Sequence, residues 1–284
     1  MANIRLIKRR IKSAKNISQI TKAMEMVAAA KMKKAQAKAL AGKLYADKIY
    51  EMVMRLATRA DKLAHPLLFA PKPTGKRLIV LISTNKGLCG GLNAVLFRTL
   101  YKHYPDFSKH DFVTLGRKGA EFVTRMGKTV KADFSDTLSF ESVVPALVEL
   151  LKTEFLSGSY DAVDVVSHDF ISVTRQNPRI KTVMPLTISA METKPQELSG
   201  EPLIEPNVDE VFDALLPHYV ENQLRDAVLE SEASEYSARM IAMHNATENA
   251  KSLGESLTLL YNKARQEKIT YEITDMVTAR LAVE

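Results

Sequence analysis

Apolar residues in the first part of the chain recur at helical spacing. Ile4, Ile7, Ile11, Ala14, Ile17, Ile20, Met24 and Val27 follow one another at intervals of three or four, a near-heptad strip with one irregular step at Ile17. The last part repeats the pattern through Tyr236, Met240, Met243, Ala250, Leu253, Leu257, Leu260 and Ala264. All eleven prolines fall between Pro66 and Pro217, so neither end carries the residue that costs about 3 kcal/mol or more inside a helix. Two long terminal helices pairing as an antiparallel coiled coil follow from this. At about 1.5 Å per residue, a helix filling residues 1–65 would be on the order of 95 Å long and would project as a rod.

Between the two arms the pattern changes. Arg77–Thr84 is an almost unbroken apolar run, as expected of a strand buried on both faces. A glycine-rich turn leads to a helix over Ala94–Tyr104, a strand over Phe112–Leu115 and a helix over Arg117–Met126. A strand near Thr129–Phe134, a helix over Phe140–Leu156 and a strand over Ala162–Ser167 come next. The extended runs Phe170–Thr174 and Ile180–Leu186 flank Gln176, Asn177 and Pro178, which read as a hairpin turn. Alternating strands and helices indicate a central Rossmann-like α/β domain with a mostly parallel sheet. The expected organisation is an N-terminal coiled-coil helix over 1–65, an α/β domain with its connector over 66–207, and a C-terminal coiled-coil helix over 208–284.

Charge sharpens the pairing. Of the net +7, residues 1–65 contribute a balance of +12, residues 218–284 a balance of −4, and the middle −1. A basic arm beside an acidic one attracts, although each exposed pair is worth only about 0–1 kcal/mol. No apolar run approaches the length of a membrane helix, and the basic N-terminus lacks the apolar core of a signal peptide. The single cysteine, Cys89, excludes an internal disulfide and a multi-cysteine metal site.

Candidate chemistry is sparse. The loop Thr84–Asn93 follows a buried strand and precedes a helix, where α/β folds cradle phosphates, but it has neither GxxxxGK[ST] nor GxGxxG. Cys89 reads either as a nucleophile or as a small half-buried thiol. His65, His103, His110, His168, His218 and His244 show no zinc-binding spacing. Asp161, Asp164 and Asp169 cluster near a strand end, either as catalytic carboxylates or as a solvated loop. The basic arm could bind nucleic acid through phosphates, yet no aromatic residues interleave with its charges and its apolar strip calls for a partner helix. Met24, Met26, Met32, Met240 and Met243 suit either a surface that repacks or ordinary core filling.

Three passages resemble the gamma subunit of F-type ATP synthases: RRIKSAKNISQITKAMEMVAAAKMKKAQ (Arg9–Gln36), GLCGGLN (Gly87–Asn93), and SEYSARMIAMHNATENA with LLYNKARQEKIT (Ser234–Ala250 and Leu259–Thr270). The first and last are long and specific, and GLCGGLN alone is weak. The resemblance implies a central-stalk rotor whose coiled coil sits within a ring of alpha and beta subunits. It also implies a base touching epsilon and the membrane c-ring, with delta elsewhere in the complex. It implies that Lys22, Met24 and Glu25 run close to the beta lever region. Arg239 is implied to meet the lower shaft, and Arg265, Gln266 and Thr270 to engage a beta loop near the top. Gly87, Leu88, Cys89, Gly90, Gly91 and Asn93 match the rotor foot. No cofactor, metal or catalytic residue is implied for this chain, with ATP, ADP and Mg²⁺ held by partner subunits and no nucleic acid bound. The implied location is peripheral, on the cytoplasmic face of a bacterial inner membrane. Arg280 departs from the small-residue tail common in the family, and the two-cysteine insertion of the chloroplast form is missing.

Overall fold

The computed structural model describes residues 4–57, 65–69, 75–137, 139–186 and 204–281. The chain is bounded by two long helices, α1 (Ile4–Ala57) and α5 (Val208–Leu281). Between them lie β1 (Arg77–Ile82), α2 (Leu92–His103), β2 (Asp111–Leu115), α3 (Arg117–Arg125), β3 (Val130–Asp133), α4 (Val144–Leu156), β4 (Ala162–Ser172) and β5 (Arg175–Met184). Two compact units result: residues 1–29 with 239–284, and residues 30–238.

Helix α5 starts with a reciprocal cap. The Glu210 amide donates to Asn207 Oδ1 at 2.8 Å, and Asn207 Nδ2 donates to Glu210 Oε1 at 2.7 Å. Asp209 and Glu210 in the first turn complement the positive end of the helix dipole. The helix runs through Pro217, which removes one backbone donor. Its neighbour Leu216 is fully buried, so core packing holds the turn around the proline.

In the larger unit the five strands lie in the order β3-β2-β1-β4-β5, the first four parallel and β5 antiparallel to β4. Alternation along β1 supplies both faces. Leu78, Val80 and Ile82 pack with α4, with Ile49 and Val53 of α1, and with Phe212, Leu216 and Leu224 of α5. Ile79 and Leu81 pack on the opposite side with Leu96 and Leu100 of α2 and Val123 of α3. The sheet is therefore the middle of three layers, which explains why β1 reads as a continuous apolar run.

One polar cluster sits inside this core. Asp164 on β4 is fully buried and accepts from Arg77 Nη1 at 2.7 Å, Tyr104 OH at 2.6 Å and Thr182 Oγ1 at 2.6 Å. Burial and the Asp164 charge together push the Tyr104 hydroxyl far above its usual range, so it stays a donor. Asp161 accepts from the Gly75 amide at 2.7 Å, and Asp169 pairs with Arg179 at 3.3 Å. The three aspartates are thus dispersed into separate structural contacts. Gly116, at the end of β2, has φ 104 and leaves only 2.1 Å between a built Cβ and the Ser83 carbonyl oxygen, so glycine is required there.

The hairpin differs from the sequence expectation. Rather than two short runs turning at Gln176–Pro178, β4 is one strand to Ser172 and the turn is Val173-Thr174. Gln176, Asn177 and Pro178 lie in β5 opposite Phe170, Asp169 and His168. Pro178 is tolerated because β5 is an edge strand. Gln176 Nε2 donates to the Val173 carbonyl at 2.7 Å, and the Arg175 amide donates to Ser172 Oγ at 3.1 Å, closing the turn.

Helix α5 also covers the C-terminal ends of β1 and β4. His168 is buried there, its amide donating to Ser231 Oγ at 3.2 Å. Its Nε2 has no hydrogen-bond partner among the described residues. Burial pushes the imidazole pKa down to about 4 from 6.5, opposed by the Leu92 carbonyl and the Asp169 charge.

Two outcomes follow. Asp164→Ala should cost about 3 kcal/mol in denaturant unfolding by leaving Tyr104, Thr182 and Arg77 without their acceptor, whereas Arg77→Gln, at a half-exposed side chain, should cost about 1 kcal/mol. Below pH 6.5 the unfolded chain takes up a proton at His168 that the native chain refuses until about pH 4, so native stability falls as pH drops through that window. Unfolding curves should show wild type losing about 1.4 kcal/mol more per pH unit there than His168→Gln.

Candidate functional site

The unit built from residues 1–29 and 239–284 holds most of the residues expected to meet partners. Its facing strip on α1 is Ile4, Ile7, Ile11, Ala14, Ser18, Thr21, Glu25 and Ala28, all buried or half-buried. On α5 the matching positions are Met240, Met243, Thr247, Ala250, Gly254, Leu257, Tyr261 and Ala264. Both strips alternate three and four without interruption, the heptad rule in strict form. The helices run antiparallel: a Cβ built at Gly254 lies 3.9 Å from the Ala14 Cβ, Thr21 Oγ1 is 2.7 Å from Thr247 Oγ1, and His244 Nδ1 is 3.3 Å from Glu25 Oε1.

This corrects the strip expected from apolar spacing alone. Ile17, Ile20 and Val27 are 50%, 60% and 57% exposed, and Leu253 and Leu260 are 55% and 47% exposed. In the middle of the pairing the facing positions are small or short polar (Ala14, Ser18, Thr21 and Ala28 on α1, Thr247, Ala250 and Gly254 on α5), which lets the two backbones approach. Ile7 and Met243 remain buried on the strip, whereas Ile17, Ile20, Val27, Leu253 and Leu260 are turned outward. Thr21 Oγ1 also lies 2.9 Å from the Ile17 carbonyl and Thr247 Oγ1 2.8 Å from the Met243 carbonyl; each hydroxyl has one proton, so one donates across to the other, which in turn donates to its own helix.

Around Glu25 the strip becomes charged. Lys22 Nζ donates to Glu25 Oε1 at 3.0 Å. The Lys22 hydrogen bond, with His244 adding to it, lowers the Glu25 pKa against desolvation. Glu25 Oε2 is buried without a hydrogen-bond partner among the described residues. Lys22 is exposed and Met24 half-buried on the same turn, while Arg239 is half-buried where this unit's part of α5 begins.

Ala264 is the last buried position of α5, and residues 265–281 are exposed throughout. Arg265, Gln266 and Thr270 belong to this uncovered stretch. Thr270 Oγ1 donates back to the Gln266 backbone carbonyl at 3.0 Å, and both side chains are exposed. Ile273, Met276 and Leu281 add apolar surface at 55%, 68% and 68% exposure.

The Gly87–Asn93 loop belongs to the larger unit. It is internally braced: Asn93 Nδ2 donates to Thr84 Oγ1 at 2.7 Å, and Thr84 Oγ1 donates to the Lys86 carbonyl at 2.9 Å. Cys89 is buried, its sulfur 3.6 Å from Asn93 Nδ2, which suits a packed thiol better than a nucleophile. Gly90 has φ 59, and Leu88 adopts φ 65 with 60% of its surface exposed. A left-handed leucine held outward in a braced loop is strain with no internal reward. The crevice between the ends of β1 and β4, where an α/β fold would seat a nucleotide, is filled by Phe140, Ser231, Glu232 and Glu235. About 10 Å³ remains, room for roughly one water.

Lys22, Met24, Glu25, Arg239, Arg265, Gln266 and Thr270 thus share one unit, and the glycine-rich loop lies in the other. Thr21, Thr247, His244 and Gly254 are the contributors that apolar spacing missed. Counting strict heptads from Ile4, regardless of polarity, would have found the Thr21 position.

The ATP synthase family model matches residues 3–283. The chain is 41% identical over 289 residues to the ATP synthase gamma chain of Dehalococcoides mccartyi (strain CBDB1), covering 100% of both chains. It is 40% identical over 298 residues to that of Methylacidiphilum infernorum (isolate V4), again covering 100% of both. Among solved structures, a chain of the Euglena gracilis mitochondrial ATP synthase (OSCP/F1/c-ring, rotational state 3) shares the fold with a TM-score of 0.67 at 21% identity, over 99% of this chain and 94% of that one. A chain of the Tetrahymena thermophila mitochondrial ATP synthase central stalk and c-ring gives a TM-score of 0.59 at 22% identity, over 80% and 99%. Full-length identity near 40% to named gamma chains, on the fold those structures share, establishes that this chain belongs to the ATP synthase gamma-chain family.

Proposed function

We propose that this gamma chain is the central-stalk rotor of a proton-translocating ATP synthase, coupling ion-driven rotation of the membrane ring to ATP synthesis or hydrolysis at the beta subunits. The observation that carries this reading is the outward face of the paired helices. Among the described residues, Ile17, Ile20 and Val27, together with the stretch after Ala264, leave large side chains exposed, as a partner-facing surface requires. The partners are the alpha, beta, epsilon and delta subunits and the c-ring, and ATP, ADP and Mg²⁺ are held by those partners. No helix among the described residues is long and apolar enough to cross a membrane. The proposed attachment is peripheral, at the cytoplasmic face of a bacterial inner membrane. In functional terms the segments are the helix 1–65, the α/β domain with connector 66–207, and the helix 208–284.

The physical requirement is asymmetry. Three identical catalytic sites differ only when something without threefold symmetry lies among them, and a pair of helices meets each site with different residues. Driving one site from about 1:99 to 99:1 takes about 5.5 kcal/mol of differential contact. Exposed polar contacts of about 0–1 kcal/mol each supply that in a group of several, while remaining weak enough singly to break and re-form. Lys22, Met24 and Glu25, then Arg239, and then Arg265, Gln266 and Thr270 are proposed as those contacts. The proposed foot is Gly87–Asn93, with Leu88 its exposed point.

With Cys89→Ser as background, a cysteine at Met24 or Gln266 crosslinked to a beta subunit should abolish turnover, and reduction should restore it. Full turnover at complete crosslinking would contradict the reading. Substitutions on the two faces should also separate. Ala14→Leu overpacks the strip against Gly254 and should cost about 1–3 kcal/mol in unfolding. Ile20→Ser should change stability by no more than about 0.5 kcal/mol while lowering ATPase turnover of the assembled complex.

A further inference from the structure

The space at the ends of β1 and β4 measures about 10 Å³. Ser83, Thr84, His168, Ser231, Glu232 and Glu235 bring polar groups to its wall. Two of these are already engaged in both directions. Ser83 Oγ accepts from the Gly119 amide at 2.7 Å and donates to the Gly116 carbonyl at 3.0 Å. Thr84 Oγ1 accepts from Asn93 Nδ2 at 2.7 Å and donates to the Lys86 carbonyl at 2.9 Å.

His168 and Ser231 keep unused capacity. Ser231 Oγ accepts from the His168 amide at 3.2 Å, and its own proton has no acceptor among the described residues. His168 is only 3% exposed, and its Nε2 is buried without a partner among the described residues. The ring is hydrogen-bonded at the Leu92 carbonyl, so the nitrogen that meets this carbonyl is Nδ1. A carbonyl only accepts, so Nδ1 carries the proton of the neutral ring, and Nε2 is a lone pair facing no donor. A hydroxyl proton and an imidazole lone pair in one small space are both satisfied by a molecule that accepts from one and donates to the other. About 10 Å³ admits a single water and nothing larger. Among the described residues no three His, Cys, Asp or Glu side chains converge to hold a metal ion.

We propose that this space is a binding site for one internal water, which accepts from Ser231 Oγ on α5 and donates to His168 Nε2 on β4. The second water proton faces the carboxyl-bearing side of the wall, where Glu232 and Glu235 lie. With Nδ1 held by Leu92 of α2, His168 then joins β4 to both helices at one point of the larger unit. The site does not depend on the rotor reading.

Histidine-selective nitrogen-15 labelling of the full-length chain at pH 7 tests the proposal, the His168 signals being those missing from His168→Gln. The expected spectrum has Nδ1 protonated and Nε2 displaced from the bare imine position to lower frequency, the mark of a lone pair that accepts a hydrogen bond. Oxygen-17 relaxation dispersion should count one more long-lived water in wild type than in His168→Phe, whose ring offers no acceptor. A proton on Nε2, an Nε2 signal at the bare imine position, or equal numbers of long-lived waters in the two folded proteins would overturn the proposal. Where His168→Phe does not fold, the nitrogen-15 spectrum of wild type decides alone.

Discussion

Two helices pair closely only where their facing side chains are small, and in residues 1–29 and 239–284 nearly every other feature depends on that constraint. Ala14 meets Gly254, Thr21 meets Thr247, and Ala28, Ala250 and Ala264 are buried along the same strip. Such a strip buries little apolar area per layer. At about 25 cal/mol per Å², alanines and threonines stabilise far less than leucines would. The middle of the pairing is accordingly a spacing device more than a large core, and Ile17, Ile20, Val27, Leu253 and Leu260 are left on the outer face. A polar pair and a half-covered Glu25 on the strip also fix register, since sliding the helices would separate Thr21 from Thr247 and leave buried hydroxyls less well satisfied.

The larger unit follows the opposite economy. Its sheet is covered on both sides, its strands are rich in Val, Ile and Leu, and the one buried carboxylate among the described residues, Asp164, has three donors. The same α5 that supplies Phe212, Leu216 and Leu224 to the core also fills the strand-end crevice that related folds give to a nucleotide. A fold whose usual binding place is occupied by its own helix leaves other surfaces for partners, and Leu88, exposed and held in a left-handed conformation, is the proposed one.

Much of this was legible in the residues. Proline placement marked the long helices because a proline inside a helix removes a backbone donor, and the one that α5 contains, Pro217, lies near its start beside the buried Leu216; β1 announced itself by lacking polar positions. The exact facing strip was not legible from hydrophobicity. Ile17 and Leu253 outrank Ser18 and Gly254 on any apolar scale, and only the steric demand of close pairing reverses that order. The hairpin misled for a related reason: Pro178 punctuates most sequences, but on an edge strand its missing donor costs nothing.

The central claim is that this chain turns against the subunits that hydrolyse ATP. The most direct measurement fixes the alpha–beta ring of the assembled complex to a surface. A visible probe is attached through a cysteine at the exposed Lys102 in the Cys89→Ser background, and ATP is then added. The account predicts unidirectional rotation of the probe at a rate that tracks hydrolysis. A stationary probe on complexes hydrolysing ATP at the full rate would contradict it.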